Sequence, residues 1–462
     1  MRNPLFLKAL IVGLVLLIVG VPLTMIGSIV HERQQRQSEA VREIGASYSG
    51  PQRLLGPVLI MPFSEIYQAE ETTTDDGKKQ KRTVERRVER SRYILPEELI
   101  MAGELDTDIK KRGIFQAPIY TWHTAVIGKF SIPESIPVER SSPNSRIIWG
   151  TPYVAVALSD MRGVSGTPAL EWGGQRAVFE KGSGLAFSES GMHAPVTLPI
   201  VGKAASIAFK LKFDLNGTER LSVVPLGESN HIQMQSAWQH PSFGGRFLPN
   251  AQTQSVGPQG FKAEWKVSAL ASAAAQQFQR AIGSTNEHCR DASCLEAIEI
   301  RLIEPVNVYT QSDRALKYGF LFVGISFAAF FLFELMTRLR IHPAQYFLVG
   351  LAQALFFLLV LSLSEHIAFR LAYLAAASAS VALIGFYLAH VMQSIWRGIG
   401  FGAILGLLYS ALYGLLISED IALMLGSILL FALLAAAMVL TRRLDWYRLS
   451  SSPSTEEAIQ PT

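Results

Sequence analysis

Ionisable side chains inside apolar helices are the residues of this sequence best placed to do chemistry. A charge held in lipid is costly and is kept for pairing, proton movement or binding. Glu334 lies in Phe331-Leu332-Phe333-Glu334-Leu335-Met336-Thr337-Arg338, and Arg338, four residues on, shares its helical face and can pair with it. An interfacial ion pair with a snorkelling arginine is the simpler reading; a relay or packing site inside a bundle is the sharper one. Glu365 and His366 end another apolar run, where a hydrated boundary pair is the simple reading and a proton-coupled site the sharper one. The middles of the apolar runs are nearly uniformly apolar, whereas transporters place polar groups or broken helices there. Transport is therefore disfavoured.

The remaining motifs carry less chemistry. Cys289 and Cys294 are the only cysteines, and their spacing is not the C-x-x-C of redox sites. A structural disulfide ranks first, free thiols second and redox chemistry last. His288 beside them lacks further ligands at metal-site spacing. Gly163-Val164-Ser165-Gly166 falls short of a G-x-S-x-G elbow, and no S-x-x-K, H-E-x-x-H or P-loop pattern occurs. No cofactor, metal or catalytic residue is expected. Gly398, Gly402 and Gly406 recur every four residues in an apolar span with no strand before them, which excludes a nucleotide loop and suits close helix packing in lipid. Ala375 to Ser380 offer a comparably small surface on the preceding span. Trp238, His240, Phe243, Arg246 and Phe247 crowd one turn-rich stretch, readable as buried anchors between strands or as an interaction surface.

These residues must be positioned by membrane helices and a large aqueous domain. Of 462 residues, 49% are hydrophobic and 17% charged, against roughly 25% charged in soluble domains. A net charge of +4 leaves no excess for a nucleic-acid partner. Residues 9–30 form an uncharged run, long enough at 1.5 Å per residue to cross the ~30 Å hydrocarbon core. It exceeds a signal-peptide core and lacks an A-x-A-like cleavage site, so it reads as an anchor. Five further spans are expected near 318–337, 344–364, 371–391, 399–418 and 421–440. Arg2, Lys8, Arg338, Arg340, Arg397, Arg442, Arg443 and Arg448 fall on one side of these spans and Arg370 on the other. Basic residues are retained in the cytoplasm, which places both termini there: residues 1–8, and the tail 441–462.

Residues 31–317 then lie outside the cytoplasm, in the periplasm of a Gram-negative cell. Residues 31–45 contain helix formers with no Gly or Pro until Gly45 and continue the anchor as a stalk. Beyond them, Ile207, Phe209, Leu211 and Phe213 alternate with Ala208, Lys210 and Lys212, and Ile298, Ile300 and Leu302 alternate with Glu299 and Arg301. This period of two predicts half-buried strands in a β-rich, sandwich-like, mainly antiparallel domain. One helix is expected around 270–281. The charged run 70–82 predicts a hairpin tip or loop. The fold class is a membrane protein of α plus β type, with six transmembrane helices: one N-terminal anchor and a five-helix C-terminal bundle over 318–440.

Several segments also resemble one family. Ser49-Gly50-Pro51-Gln52-Arg53-Leu54-Leu55-Gly56-Pro57, Ser159-Asp160-Met161-Arg162-Gly163 and Leu221-Ser222-Val223-Val224-Pro225 are followed by the stretch from Trp238 to Pro249. Tyr346-Phe347-Leu348-Val349-Gly350-Leu351-Ala352 and Leu361-Ser362-Leu363-Ser364-Glu365-His366 complete the pattern. In this order and with this hydropathy profile, from the anchor to about Leu449, the chain resembles the CreD family of bacterial inner-membrane proteins, described as cell envelope integrity proteins. The resemblance implies an inner-membrane location, a functional link to a two-component regulatory system and a role in envelope stress. It carries over no catalytic residue or ligand. The function expected is thus non-enzymatic support of the envelope, with the periplasmic β domain as a binding module. The expected partners are the lipid bilayer and periplasmic or inner-membrane proteins. A transporter or enzyme acting on a lipid or cell-wall precursor is the alternative, with Glu334, Glu365 and His366 as its polar residues.

Overall fold

The computed structural model describes residues 4–75, 78–198, 203–283, 292–303, 307–337, 341–418 and 422–442. The chain divides into two compact units, Met1–Gln37 with Val306–Thr462, and Ser38–Pro305.

The first unit is helical. It contains most of α1 (Pro4–Ser47), whose last turns belong to the second unit; the second unit also contains the short helix α2 (Ala274–Gly283). The other helices of the first unit are α3 (Val308–Thr337), α4 (Pro343–Ser364), α5 (Phe369–Val391), α6 (Ile395–Ile417) and α7 (Ala422–Thr441). By length and composition α1 and α3–α6 can each cross a membrane, and α7 contributes a shorter apolar stretch, Met424–Ala436. α3 starts ten residues before the expected span. Its first turns are polar and sustain themselves by local bonds: Asn307 Oδ1 accepts the Tyr309 N–H at 3.0 Å, and Lys317 pairs with Asp313 at 2.7 Å. Hydropathy registers only the apolar remainder. At the head of α4, His342 Nδ1 accepts from the Ala344 N–H, Gln345 Oε1 accepts from the His342 N–H, and Pro343 takes the first turn, a reciprocal cap that fixes where the helix begins.

The second unit is built on two sheets. The first runs in spatial order Pro241–Gly245 (β14), Ile298–Leu302 (β17), Arg220–Val224 (β12), Gln52–Asp75 (β1), Tyr153–Leu158 (β6), Gly191–Pro195 (β10) and Glu180–Lys181 (β9). Lys78–Ile94 (β2) and Arg146–Trp149 (β5) also pair with β1. The second runs Ser255–Gly257 (β15), Gly260–Ser268 (β16), Ser229–Ser236 (β13), Glu98–Arg112 (β3), Phe115–Ile132 (β4), Ala205–Thr218 (β11), Val164–Trp172 (β7) and Gln175–Val178 (β8). Pairing is antiparallel except for β1 with β12 and β3 with β13.

The alternation of β11 does what its pattern predicts. Ile207, Phe209, Leu211, Phe213 and Leu215 are buried in the core between the sheets, and Lys210, Lys212 and Asp214 take the opposite face. The first sheet is covered on both sides. Val154, Val156 and Leu158 enter the core between the sheets, while Ala155 and Ala157 join Phe278 of α2 in a second core. This explains why β6 reads as an unbroken apolar run. Between β11 and β12 the chain changes sheets at Glu219, whose φ of 58° makes the corner. The charged run 70–82 falls on a long β1–β2 hairpin paired from Leu59↔Ile94 to Asp75↔Lys78.

Candidate functional site

Two polar clusters occupy opposite ends of the same three helices. At one end, the Glu334 carboxylate of α3 is buried. It pairs with Lys8 of α1, accepts the Tyr346 hydroxyl of α4 at 2.8 Å and accepts the Ile341 N–H at 2.9 Å. At the other end, Glu365, the C-cap residue of α4, is met by Arg33 of α1 at 3.4 Å and by the Tyr309 hydroxyl of α3 at 3.3 Å. Gln37 and Asn307 share a hydrogen bond of 2.9 Å one turn beyond. Lys8 and Arg33 are 25 residues apart, as are Tyr309 and Glu334. At 1.5 Å per residue that is ~37 Å, between the ~30 Å hydrocarbon thickness and the ~40–45 Å of the full bilayer. The clusters therefore belong at the two interfaces, where ionic groups are tolerated. Between them Val15, Val19, Leu23, Ile26 and Val30 form the buried stripe of α1, and Phe327 sits in the notch of Gly350, where a Cβ would come within 2.7 Å of its ring.

Arg338, the expected partner of Glu334, lies outside the described residues; the partners seen are Lys8, Tyr346 and the Ile341 N–H. His366 is exposed, and Glu365 is engaged by Arg33 and Tyr309. Lys8 and Tyr346 entered the sequence reading only as a basic flank and as part of a quoted segment, and neither they nor Arg33 and Tyr309 were read there as partners of the two carboxylates. The signal that could have found Lys8, Arg33 and Tyr309 is the equal 25-residue spacing on two helices that must run antiparallel.

The α5–α6 contact is made differently. A Cβ on Gly398 would lie 2.5 Å from the Cβ of Ala389, and a Cβ on Gly402 would come within 3.9 Å of the Cα of Gly385, so the backbones approach closely. A Cβ on Gly406 would meet nothing within 4 Å. Tyr373 donates to the Tyr409 carbonyl at 2.7 Å, and Ser380 shares a 3.0 Å hydrogen bond with the Tyr409 hydroxyl.

In the second unit the residues of the quoted segments converge. The Gln52 amide donates to Ser49 Oγ at 2.7 Å, to the Asp160 carbonyl at 2.8 Å and to the Asn216 carbonyl at 3.1 Å, and its carbonyl accepts the Asp160 N–H at 3.2 Å. Asp160 in turn accepts the Gly50 N–H and the Arg162 guanidinium. That hydrogen bonding from Arg162 holds the Asp160 carboxyl below its ordinary range despite partial burial. A Cβ on Gly163 would strike Gln52 Nε2 at 2.3 Å, so the glycine makes room for the amide. Arg53 reaches the carbonyls of Ala292 and Leu295 at 2.8 and 3.1 Å. Gly56, at φ 108°, lies in a bulge between Leu55 and Val58. The bulge moves the two-residue alternation by one position, so that Leu54, Leu59 and Met61 face one core and Leu55, Val58 and Ile60 the other.

The aromatic stretch divides. Phe243 meets Phe261 and Trp265 edge-on at 5.5 and 5.7 Å. Phe247 and Trp238 are partly buried against the same core, and the Trp238 indole donates to the His240 carbonyl at 3.1 Å. His240 and Arg246 are exposed, and Arg246 approaches Glu296 at 3.5 Å. Cys289 lies outside the described residues; Cys294 is not a free thiol. Among the described residues no group of three metal-ligating side chains converges.

Comparison with known proteins agrees with this architecture. The family model "Inner membrane protein CreD" matches residues 4–447. The chain belongs to the CreD family. It is also 34% identical over 451 residues to the inner membrane protein CreD of Escherichia coli strain K12, covering 97% of this chain and 95% of that protein. Its place among inner-membrane proteins accounts for the apolar helices, and the interface spacing of the two ionic clusters fits that setting. The segments that suggested CreD are largely those that build the Gln52–Asp160 network and the α4 end of the two clusters.

Proposed function

We propose that this CreD-family chain is a non-enzymatic inner-membrane protein that supports envelope integrity and the envelope-stress response, with its β unit on the periplasmic side as a binding module and both termini in the cytoplasm. The excess of arginine and lysine at the N-terminus and in the alternate short loops supports the orientation. The observation that carries the binding role is the β1–β2 ribbon. Beyond Ile66, the last residue of β1 paired to β5, the two strands pair with each other alone among the described residues. Free edges of that kind are templates for strand addition. The carboxylates on which a transporter or enzyme would draw, Glu334 and Glu365, are each paired to a basic residue of α1, which supports a structural use for both.

The test is a deletion of residues 68–85, which shortens the ribbon and leaves the sandwich strands intact, assayed for envelope-stress tolerance in cells and for folding by protease resistance. The expected result is a folded protein without tolerance. Full tolerance would contradict the binding role. Labelling of a cysteine placed at Gln68 from outside intact spheroplasts checks the orientation, and its protection there would reverse it.

A further inference from the structure

The α5–α6 seam leaves a groove that no side chain among the described residues fills. One part, of about 940 Å³, is lined by Ala382, Gly385, Ala389, Gly402 and Ala403 and ends at His390, Gln393 and Ser394. A second part, of about 610 Å³, is lined by Leu371, Leu374, Ala377, Ser378 and Tyr413 and ends at Arg370. Val381 and Gly406 line both, so the two parts meet there. Each volume falls in the range of small-molecule sites, ~300–1,000 Å³.

The depth of the groove matches a bilayer. Arg370 to Val381 is eleven residues of helix, ~17 Å, and Val381 to Gln393 is twelve, ~18 Å. Each is about half of the ~30 Å hydrocarbon core, so each part is as deep as one leaflet and Val381 and Gly406 mark the midplane. Arg370 is the second residue of α5, at the level where lipid phosphates lie. It is exposed, and no ion pair engages it among the described residues. An apolar slot one leaflet deep with a cation at its mouth is complementary to a lipid acyl chain below an anionic headgroup.

We propose that this half of the groove is a binding site for an anionic phospholipid, with the phosphate at Arg370 and an acyl chain laid along Ala377, Val381 and Gly406. Gly406 leaves room for the chain: it lines the slot, and a Cβ there would meet nothing within 4 Å.

The test uses the full chain purified in detergent, titrated with phosphatidylglycerol or phosphatidylcholine and read by native mass spectrometry. The wild type should retain phosphatidylglycerol in preference to phosphatidylcholine. Gly406→Leu, which projects a side chain into the slot from a Cβ that meets nothing within 4 Å, should lose retention of both, and Ser378→Leu should do the same from the facing helix. Arg370→Gln should weaken phosphatidylglycerol by about fivefold and leave phosphatidylcholine unchanged, as expected for one arginine near a lipid surface. Thermal unfolding in lipid-free detergent identifies any variant that has lost its fold, and the other filling variant then decides. Unchanged lipid retention in a folded filling variant would overturn the proposal, as would an Arg370→Gln protein that keeps full selectivity. A dimer that disappears in Gly406→Leu while lipid retention stays constant would assign the groove to a second copy of the chain and overturn it too.

Discussion

The α1–α3–α4 seam and the α5–α6 seam hold helices together in lipid, where no hydrophobic drive brings them in contact, and they do so by different means. The first keeps its backbones apart, fills the space with rings such as Phe327 over Gly350, and is pinned at both ends by charge: Glu334 with Lys8, and Glu365 with Arg33. The second brings backbones together at Gly398 and Gly402 and has hydroxyl bonds from Tyr373 and Ser380 in place of ions. The difference teaches what each seam resists. Ionic ends fix register along the membrane normal, because sliding by one turn separates every pair at once. Glycine contact fixes distance and leaves register to the fit of small steps.

Breaking the ionic seam should have the largest effect. Lys8→Met leaves Glu334 buried without its cation, and losing one partner of a buried pair costs about 3 kcal/mol, read as a drop in the thermal midpoint of the detergent-purified protein. The glycine seam should respond next. Gly398→Leu places side-chain atoms on Ala389 and should cost ~2 kcal/mol by overpacking, whereas Gly406→Leu should change stability by less than ~0.5 kcal/mol. Equal effects of the two substitutions would erase the distinction between packing glycine and groove glycine.

The β unit supplies a buried, hydrogen-bonded counterpart to the ionic pins. Gln52→Ala removes the amide that ties Ser49, Asp160 and Asn216 together and should cost ~2 kcal/mol by stranding buried polar groups, seen as early proteolysis of the β unit. Acid should act on the same unit. Burial works to raise the Glu65 carboxyl, but hydrogen bonds from the Ser141 N–H at 2.6 Å and the Ser141 hydroxyl at 2.8 Å and the charge of Arg90 hold it below its ordinary range, and Asp160 is likewise held low by Arg162. Groups depressed in the folded state contribute stability above their unfolded pKa, near 4, and lose it as pH falls through the folded value. Unfolding of the β unit at pH 3 should therefore come at lower temperature than at pH 7, and Glu65→Gln should flatten that dependence.

Much of this was legible in the sequence, and the rest was hidden for physical reasons. Hydropathy locates helices because lipid demands apolar surface, and alternation located β11 and β17 because one face of each is buried. What escaped were partners distant in sequence. Glu334 was visible as a costly charge, but local spacing pointed to Arg338, whereas the cation that meets it is Lys8, 326 residues away. Gln52 stood in a quoted segment, but its burial was not legible, since a neutral amide inside a strand looks like any exposed polar residue until Gly163 and Asn216 close on it. The polar start of α3 was missed because its capping and ion pair leave hydropathy unchanged.

The most direct test of the pinned seam is a double-mutant cycle on Lys8 and Glu334, measured by thermal unfolding of the full chain in detergent. Lys8→Met and Glu334→Met should each destabilise strongly, and the double variant should recover most of the loss, giving a coupling of ~2 kcal/mol or more. Losses that simply add would mean that the two side chains do not hold α1 to α3, and the account of the ionic seam would fail.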